Sequence, residues 1–411
     1  MSQYQITLDE SDLLSLFDGQ GLKTLAEQVL NQVLHAQASE QLRAHPHERT
    51  QERQGYRNGY RERPLVTRIG TLTLQVPKLR QGTFRPELFE RWQRSETALF
   101  SVLVEMVVQG VSTRKVSAVV EELCGLEVSK SFVSDLCQSL DPLVWAWRER
   151  DLSEVLYPFV LVDALVVRVR EDGAVRQRSL LIASGIRADG LREVLGFSVG
   201  DRESEASWGG FFASLKQRGL HGVDLVVSDS HGGLVAALHT HFQEAVWQRC
   251  QTHLMRNLMD SCPKAHQEGF HRAVRRLFEA DTTEQARQEL TQVLAQFATK
   301  AAKSVACLEA GFDDATAVLR LPCRYRKRLR TTNSQERLNE EVRRRERVIR
   351  IFPNRASAER LLGAILMELD EGWSTGKKYL EMSEYWDWKQ AQSTASSTLR
   401  GSSSEPPKQG G

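Results

Sequence analysis

Phe159-Val160-Leu161-Val162-Asp163-Ala164-Leu165-Val166-Val167 is the stretch on which the reading of this chain turns. It is apolar except at its centre and rich in valine, the composition of a strand buried on both faces. Asp163 interrupts it. A carboxylate inside such a run is costly to bury unless something positive lies against it. Asp163 is therefore either paired with an arginine or part of a working site.

The pattern around this strand predicts its neighbours. Strands are expected over 158–170, 175–186 and 192–201, then a helix over 204–219 with Trp208, Phe211, Phe212 and Leu215 inward. An apolar strand at 223–228, a helix at 232–242 and a short strand around Ala245-Val246-Trp247 follow. Three strands followed by alternating helices and strands give a ribonuclease-H-like α/β layout, a mixed sheet with helices on both faces. Residues 250–330 then read as helical throughout, with a capping box at Thr282-Thr283-Glu284-Gln285. They are expected to be an insertion (251–330) in a catalytic domain made of 155–250 and 331–375.

Two further acids stand at telling places. Asp229, in Val226-Val227-Ser228-Asp229-Ser230-His231-Gly232-Gly233, lies just past the fourth strand, at the carboxyl end where α/β sheets place ligands. First and fourth strands are neighbours in this layout, so Asp163 and Asp229 can meet. Glu336, in Thr331-Thr332-Asn333-Ser334-Gln335-Glu336-Arg337-Leu338-Asn339, opens a helix dense in arginine. There Leu338, Val342 and Ile349 face the core, while Glu336, Glu340, Arg343 and Arg347 share the opposite side. Each acid also has a plain structural reading. Asp229 is placed to cap the helix after Gly232-Gly233, and Glu336 to close a capping box with Asn333.

Three hard oxygen donors suit Mg²⁺, or Mn²⁺ in its place, better than zinc. Two such ions about 4 Å apart support in-line displacement at phosphorus, and they would let like charges converge. Cys250, His253, Cys262 and His266 are spaced too irregularly for a zinc finger.

The segment before residue 155 has another grammar. Residues 1–48 predict helix, with Leu, Val and Ala at three- and four-residue steps from 10 to 45, and are acidic enough to supply subunit contacts. Region 49–94 opens on Gly55-Tyr56-Arg57-Asn58-Gly59-Tyr60-Arg61 and leads into a hairpin around Gly70 that Pro77 ends. Region 95–150 reads as helices, with Ser112-Thr113 and Ser129 as starts and a turn at Cys124-Gly125-Leu126-Glu127. That is a helix-turn-helix pattern whose second helix would lead with Lys130, Ser131 and Ser134. Residues 390–411, rich in Ser, Gly, Pro and Gln, are expected to be a disordered tail.

The net charge of +2 conceals segregation. Residues 324–350 hold eleven Arg or Lys against four Glu, and 53–94 hold ten against three. Such blocks are the footprint of phosphate contacts. Arg57, Arg61, Lys130 and Ser131 in the first part, and Arg337, Arg343, Arg344 and Arg345 in the second, are the DNA-contact candidates. Six scattered cysteines read as reduced thiols in a cytoplasm, and no apolar run approaches a membrane span. A two-carboxylate glycosidase would leave both basic blocks unexplained.

From about residue 50 to 380 the chain resembles the Mutator-type transposases of bacterial insertion sequences. The phrases that carry the likeness are Gly55-Tyr56-Arg57-Asn58-Gly59-Tyr60, Gly110-Val111-Ser112-Thr113-Arg114-Lys115-Val116, Gly219-Leu220-His221-Gly222-Val223, Trp247-Gln248-Arg249-Cys250, Thr331-Thr332-Asn333 with Glu336-Arg337-Leu338-Asn339, and Arg343-Arg344-Arg345. The resemblance implies a DDE recombinase with Asp163, Asp229 and Glu336 as its metal-holding triad. It gives Cys250 and His253 of the family's Cys-x-x-His signature, with Trp247, a supporting role. It also implies binding of terminal inverted repeats, 3′-end cleavage, strand transfer to target DNA, and a homodimer or larger assembly on DNA. Leu165 stands where the family usually has an aromatic residue, and Ser230-His231-Gly232 varies around the second acid. The alternatives are a ribonuclease-H-like nuclease or resolvase that never joins ends, and a DNA-binding regulator on an inactive recombinase scaffold.

Overall fold

A computed structural model of the protein describes residues 21–46, 48–67, 70–80, 84, 99–124 and 129–401. They fall into two compact units divided between Ser139 and Leu140.

In the first unit α1 (Gly21–Leu42) precedes an antiparallel ribbon of β1 (Arg57–Thr67) and β2 (Gly70–Leu79). The expected hairpin is present and longer than its apolar alternation suggested, because the basic Tyr-Arg phrase forms its first strand. Pro77 does not end β2. It pairs with Tyr60 beside a bulge between Arg57 and Tyr60, and a two-stranded ribbon tolerates proline because each strand is an edge. Edge N–H groups need acceptors, and α1 supplies them. Glu27 accepts from the Thr73 amide at 2.7 Å and Asn31 from the Gln75 amide at 2.8 Å. Leu34 and Ala38 are buried with Leu65, Leu72, Leu74 and Val76, so this apolar stretch of α1 is covered within the chain.

Helix continues over 99–108, α2 (Thr113–Cys124) and α3 (Lys130–Leu136). Ser129 caps α3 by accepting from the Phe132 amide at 3.1 Å, as its position predicts. The turn expected at Cys124-Gly125-Leu126-Glu127 lies, after Cys124, outside the described residues, as does the predicted helix before residue 21.

The second unit begins with α4 (Asp141–Arg148) and is built on a five-stranded mixed sheet. Its strands are β3 (Phe159–Glu171), β4 (Ala174–Ile186), β5 (Arg192–Gly200), β6 (Leu225–Ser228) and β7 (Val246–Arg249), in the order β5-β4-β3-β6-β7. The first three pair antiparallel as a meander, while β6 and β7 add to β3 in parallel. The parallel strands are reached through α5 (Glu205–Gln217) and α6 (Gly232–His241), which cover one face. On that face Val160, Val162 and Val226 pack with Trp208, Phe212, Leu215, Leu234 and Leu238. Phe159, Leu161, Leu225 and Val227 point the other way, onto Val318, Tyr325, Leu329 and Tyr385. Alternation along each strand thus gives the sheet two cores.

Between β7 and the return to the sheet lie α7 (Gln251–Ser261), α8 (Gln267–Phe278), α9 (Thr283–Phe297), α10 (Ala302–Thr316) and α11 (Cys323–Leu329). The first four enclose their own core, including Leu258, Phe270, Leu277, Val293 and Phe312. Then come α12 (Asn333–Glu346), α13 (Arg355–Ser374) and α14 (Ser383–Gly401). Helix α14 corrects the expectation of disorder from residue 390. Its first turns carry Tyr385, Trp386 and Trp388 against the sheet, and helix runs on through the small polar residues to Gly401. Residues 402–411 lie outside the described residues.

Candidate active site

The site is set by strand register. β3 and β6 pair as Phe159–Leu225, Val160–Val226 and Leu161–Val227. Two residues further along each chain stand Asp163 and Asp229, on the side of the sheet shared by Leu161 and Val227. Asp163 interrupts a buried apolar row on that face of β3, which resumes at Leu165, Val167 and Val169. Asp229 lies just past β6, at its carboxyl end, and its carboxylate accepts from the His231 amide at 3.2 Å. It does not cap α6, whose N-cap is His231 without a side-chain bond.

Asp163 is not paired with an arginine. One oxygen accepts from the Ala164 amide at 2.9 Å and the other from Asn339 Nδ2 at 2.7 Å. Burial pushes this carboxyl up to about 6; the Asp229 and Glu336 charges push the same way, and the Ala164 bond and His253 oppose them.

Helix α12 is docked over this point. Gln335 Oε1 accepts from Ser184 Oγ at 2.7 Å on β4, and Asn339 reaches Asp163. Glu336 lies between them in sequence, partly exposed. It does not close a capping box: the N-cap is Thr332, and Asn333 Oδ1 accepts from Thr252 Oγ1 at 3.0 Å. Instead Glu336 Oε1 is 3.6 Å from His253 Nε2.

Trp247, Cys250 and His253 frame the other side. Trp247 Nε1 donates to Ser228 Oγ at 2.9 Å, and the Cys250 amide donates to the Ser228 carbonyl at 2.7 Å, fixing the residue before Asp229. Cys250 is fully buried, and its sulfur accepts from both the amide and the hydroxyl of Thr332 at 3.3 Å. Burial would raise the thiol, but bonds from His253 and Thr332 outweigh it and hold it below the ordinary range. His253 is pushed up to about 9, first by Cys250 against the cost of burial, then by Asp163 and Asp229. The acids thus favour the charged form of the His253 ring, which lies beside Glu336.

Three carboxylates, one of them raised by burial and by the charge of the others, are the hard-oxygen set that a divalent cation neutralises. The donors fit such an ion in chemistry. In distance, no three His, Cys, Asp or Glu side chains among the described residues converge closely enough to hold a metal together.

The DNA-contact candidates scatter. Arg61, Lys130, Ser131, Arg337, Arg343 and Arg344 are exposed, Arg344 bonded to Glu341. Arg57 is tied to Ser39 and to the Ala44 carbonyl. Arg345 is a correction. It is 5% exposed and holds Glu341 and Glu368 at 2.8 and 2.5 Å, because α12 turns position 345 inward with Leu338 and Val342. Reading the three arginines as one block concealed that.

Several residues went unremarked in the sequence. Asn339 is one: its role follows from standing one turn after Gln335 on the inward side. Glu203 is another. It lies 3.5 Å from His231 Nδ1, accepts from Trp208 Nε1 at 3.2 Å, and is raised first by burial, with Asp229 adding to it. It sits in the connection after β5, which no sequence pattern marked.

Likeness in sequence puts this mixed α/β unit among the enzymes that cut and join DNA during transposition. The chain is a member of the Mutator family of transposases, whose family model matches residues 3–376 and so takes in the amino-terminal segment as well. It is 45% identical over 387 residues to the transposase for insertion sequence element IS256 in transposon Tn4001 of Staphylococcus aureus, covering 92% of this chain and 99% of that one. Against the transposase for ISRM5 of Rhizobium meliloti it is 43% identical over 364 residues, 89% of this chain and 91% of the relative. Against that for IS1081 of Mycobacterium tuberculosis the figures are 42% over 334 residues, 81% and 80%. A solved Drosophila P element transposase strand transfer complex aligns over 74% of this chain and 84% of that chain, with 10% identity and a TM-score of 0.29, too low to establish a shared fold. No helix among the described residues is long and apolar enough to cross a membrane.

Proposed function

We propose that this transposase works by a DDE mechanism in a ribonuclease-H-like domain, with Asp163, Asp229 and Glu336 as the catalytic acids. The observation that carries the reading is the shared register of Asp163 and Asp229, with α12 bonded to Asp163 through Asn339 and presenting Glu336 beside them. The three acids would hold Mg²⁺ or Mn²⁺. When bound, such ions activate the attacking oxygen and stabilise the leaving one in an in-line displacement at phosphorus. Asn339 and the Ala164 amide orient the Asp163 carboxylate. His253 holds Glu336 and balances the acids' charge, and the Cys250–Thr332 contact ties the start of α12 to the end of β7.

Hydrolysis at the element end and attack by the freed 3′-hydroxyl on target DNA need the same displacement, so one site serves both. The basic ribbon and α3 are the proposed readers of the terminal inverted repeats, through Arg57, Arg61, Lys130 and Ser131. Pairing of two ends calls for a dimer or larger assembly.

The test is an in vitro reaction on DNA carrying the element ends, with Mg²⁺. Wild type should give 3′-end nicks and joined products, and Asp163→Asn, Asp229→Asn and Glu336→Gln should give neither while still binding the ends. Nicks without joints would leave a nuclease. Joints that persist in a variant would remove that residue from the triad.

A further inference from the structure

Helix α12 has a second working face. Ser334, Arg337, Leu338 and Glu341 recur at steps of three, one and three, and they line a cavity of about 780 Å³ closed by the ends of α11 and α13 and by the segment after α13. Six cations border it: Arg192, Lys327, Arg328, Arg337, Lys377 and Lys378. Among the described residues none of the six forms an ion pair. The arginines nearby behave differently, since Arg344 and Arg345 are bound to carboxylates. Glu341, the one acid in the lining, is taken by those two. The cavity is thus left with uncompensated positive charge.

Its floor is built in the same sense. The Arg192 guanidinium lies 3.2 Å from the centre of the Trp373 ring and 5.0 Å from that of Tyr379, and Arg328 lies 4.8 Å from Tyr379. Aromatic faces hold a guanidinium in place without neutralising it. Arg192 Nε and Ser334 Oγ are both buried without a hydrogen-bond partner. Burial, with Arg337 and Arg328 nearby, lowers Arg192 to about 10. Unpaired buried donors and clustered like charges are costly for a free protein. An anion carrying several oxygen acceptors relieves both costs at once.

The geometry points to a binding site for single-stranded DNA, with phosphates on the exposed cations of the rim and a base on the stack that Arg192 forms with Trp373 and Tyr379. Two features favour a single strand over a duplex. The cations surround a concavity instead of lying along an open surface, and aromatic rings interleaved with Arg and Lys are the lining that takes unstacked bases. Glu336 and Arg337 are consecutive on α12 and so about 100° apart around it, which puts the acid and the cavity on adjoining faces of one helix. This inference rests on the transposase reading for the origin of the strand, but the binding itself does not depend on catalysis.

The experiment measures fluorescence anisotropy of the full chain in EDTA with a labelled oligothymidine and, separately, with a duplex of the element end. The variants are Lys377→Gln/Lys378→Gln, both exposed, and Arg328→Gln, with Lys300→Gln/Lys303→Gln as the surface control. The double variant should weaken single-strand binding about tenfold and flatten its log–log salt slope by about 1.4, at roughly 0.7 per lost phosphate contact. Duplex affinity and the control should stay within about twofold, on the scale where tenfold is about 1.4 kcal/mol. Unchanged single-strand affinity in both cavity variants would overturn the assignment. So would an equal loss on duplex, which would make the cavity an ordinary duplex-backbone contact. If the cavity variants behave as expected while wild type neither nicks nor joins DNA with Mg²⁺, the site stands and the catalytic reading falls.

Discussion

Asp163 and Asp229 continue one register: the parallel pairing of β3 with β6 ends at Leu161 and Val227, and each acid lies two residues beyond its strand's member of that pair. The juxtaposition therefore follows from the strand pairing, with Asp229 the first residue after β6. Its cost is visible at Asp163, raised to about 6 by burial and by its acidic neighbours. A protein maintains such a cluster against its own electrostatics when the charge has work to do.

Neutralising either aspartate should therefore abolish chemistry without harming the fold. Asp163→Asn retains an amide oxygen for the Ala164 N–H, offers its new N–H to the unpartnered Asn339 Oδ1 once that amide flips, and removes the buried charge, so thermal stability should hold or rise. Nicking of element ends should fall on the order of a thousandfold, the scale of losing an essential electrostatic group. A gel-based nicking assay beside a melting curve checks both halves; a variant that keeps its activity refutes the role.

Asn339 should prove a positioning residue. Its Nδ2 contact at 2.7 Å fixes one Asp163 oxygen. Asn339→Ala should cost about 1–3 kcal/mol through the unpaired buried carboxylate. It should also raise the Mg²⁺ concentration needed for half-maximal nicking by about 10- to 100-fold, as losses of supporting bonds around metal ligands do. DNA affinity measured without metal should not move. A loss of stability alone, with the Mg²⁺ requirement unchanged, would make Asn339 merely structural.

The loop that carries Asp229 gives a sharper steric test. A Cβ on Gly232 would meet nothing within 4 Å, whereas one on Gly233 would lie 2.5 Å from the Glu205 amide nitrogen and 2.7 Å from the Ser204 carbonyl carbon. Gly232→Ala should be neutral or slightly stabilising, by up to about 1 kcal/mol of helix propensity. Gly233→Ala must push α6 off the start of α5 and displace the Asp229 loop, costing about 1–3 kcal/mol as overpacking does and most of the nicking activity. Equal behaviour of the two variants would contradict this packing.

Much of this was legible in the sequence because the sheet announces itself. Apolar runs separated by turn residues marked every strand of the second unit, and an acid inside the valine-rich run of β3 has few explanations. What stayed hidden depended on which way a helix turns. Nothing in Arg343-Arg344-Arg345 tells which arginine faces inward; the depth of α12 against α13 decides it. Nor does sequence bring Arg192 beside Trp373, since 180 residues separate partners joined only by packing. Pro77 misled for a related reason, as strand breaking depends on whether the strand is an edge.

Arg343 and Arg345 make the last test, because they are two residues apart and should fail in opposite ways. Arg345 is buried against Glu341 and Glu368, so Arg345→Ala removes a buried guanidinium from both while Arg344 stays on Glu341, and should cost about 1–3 kcal/mol. Arg343 is exposed. Arg343→Ala should leave the melting temperature alone and, if the residue meets a phosphate, weaken duplex binding with a salt slope shallower by about 0.9. The ion pairs also set a pH signature. Glu341 is held down at about 2, first by Arg344, then by Arg345, against burial. A carboxyl lowered on folding adds stability that is complete above its unfolded value, near the ordinary 4.5, and is lost as pH falls towards 2. Glu341 is partly exposed, so salt should shrink the effect. Melting curves from pH 6 to pH 2.5 should then fall less steeply for Glu341→Gln than for wild type. Parallel curves would mean that the pairs add nothing on folding, and an Arg345→Ala protein as stable as wild type would return that arginine to the DNA.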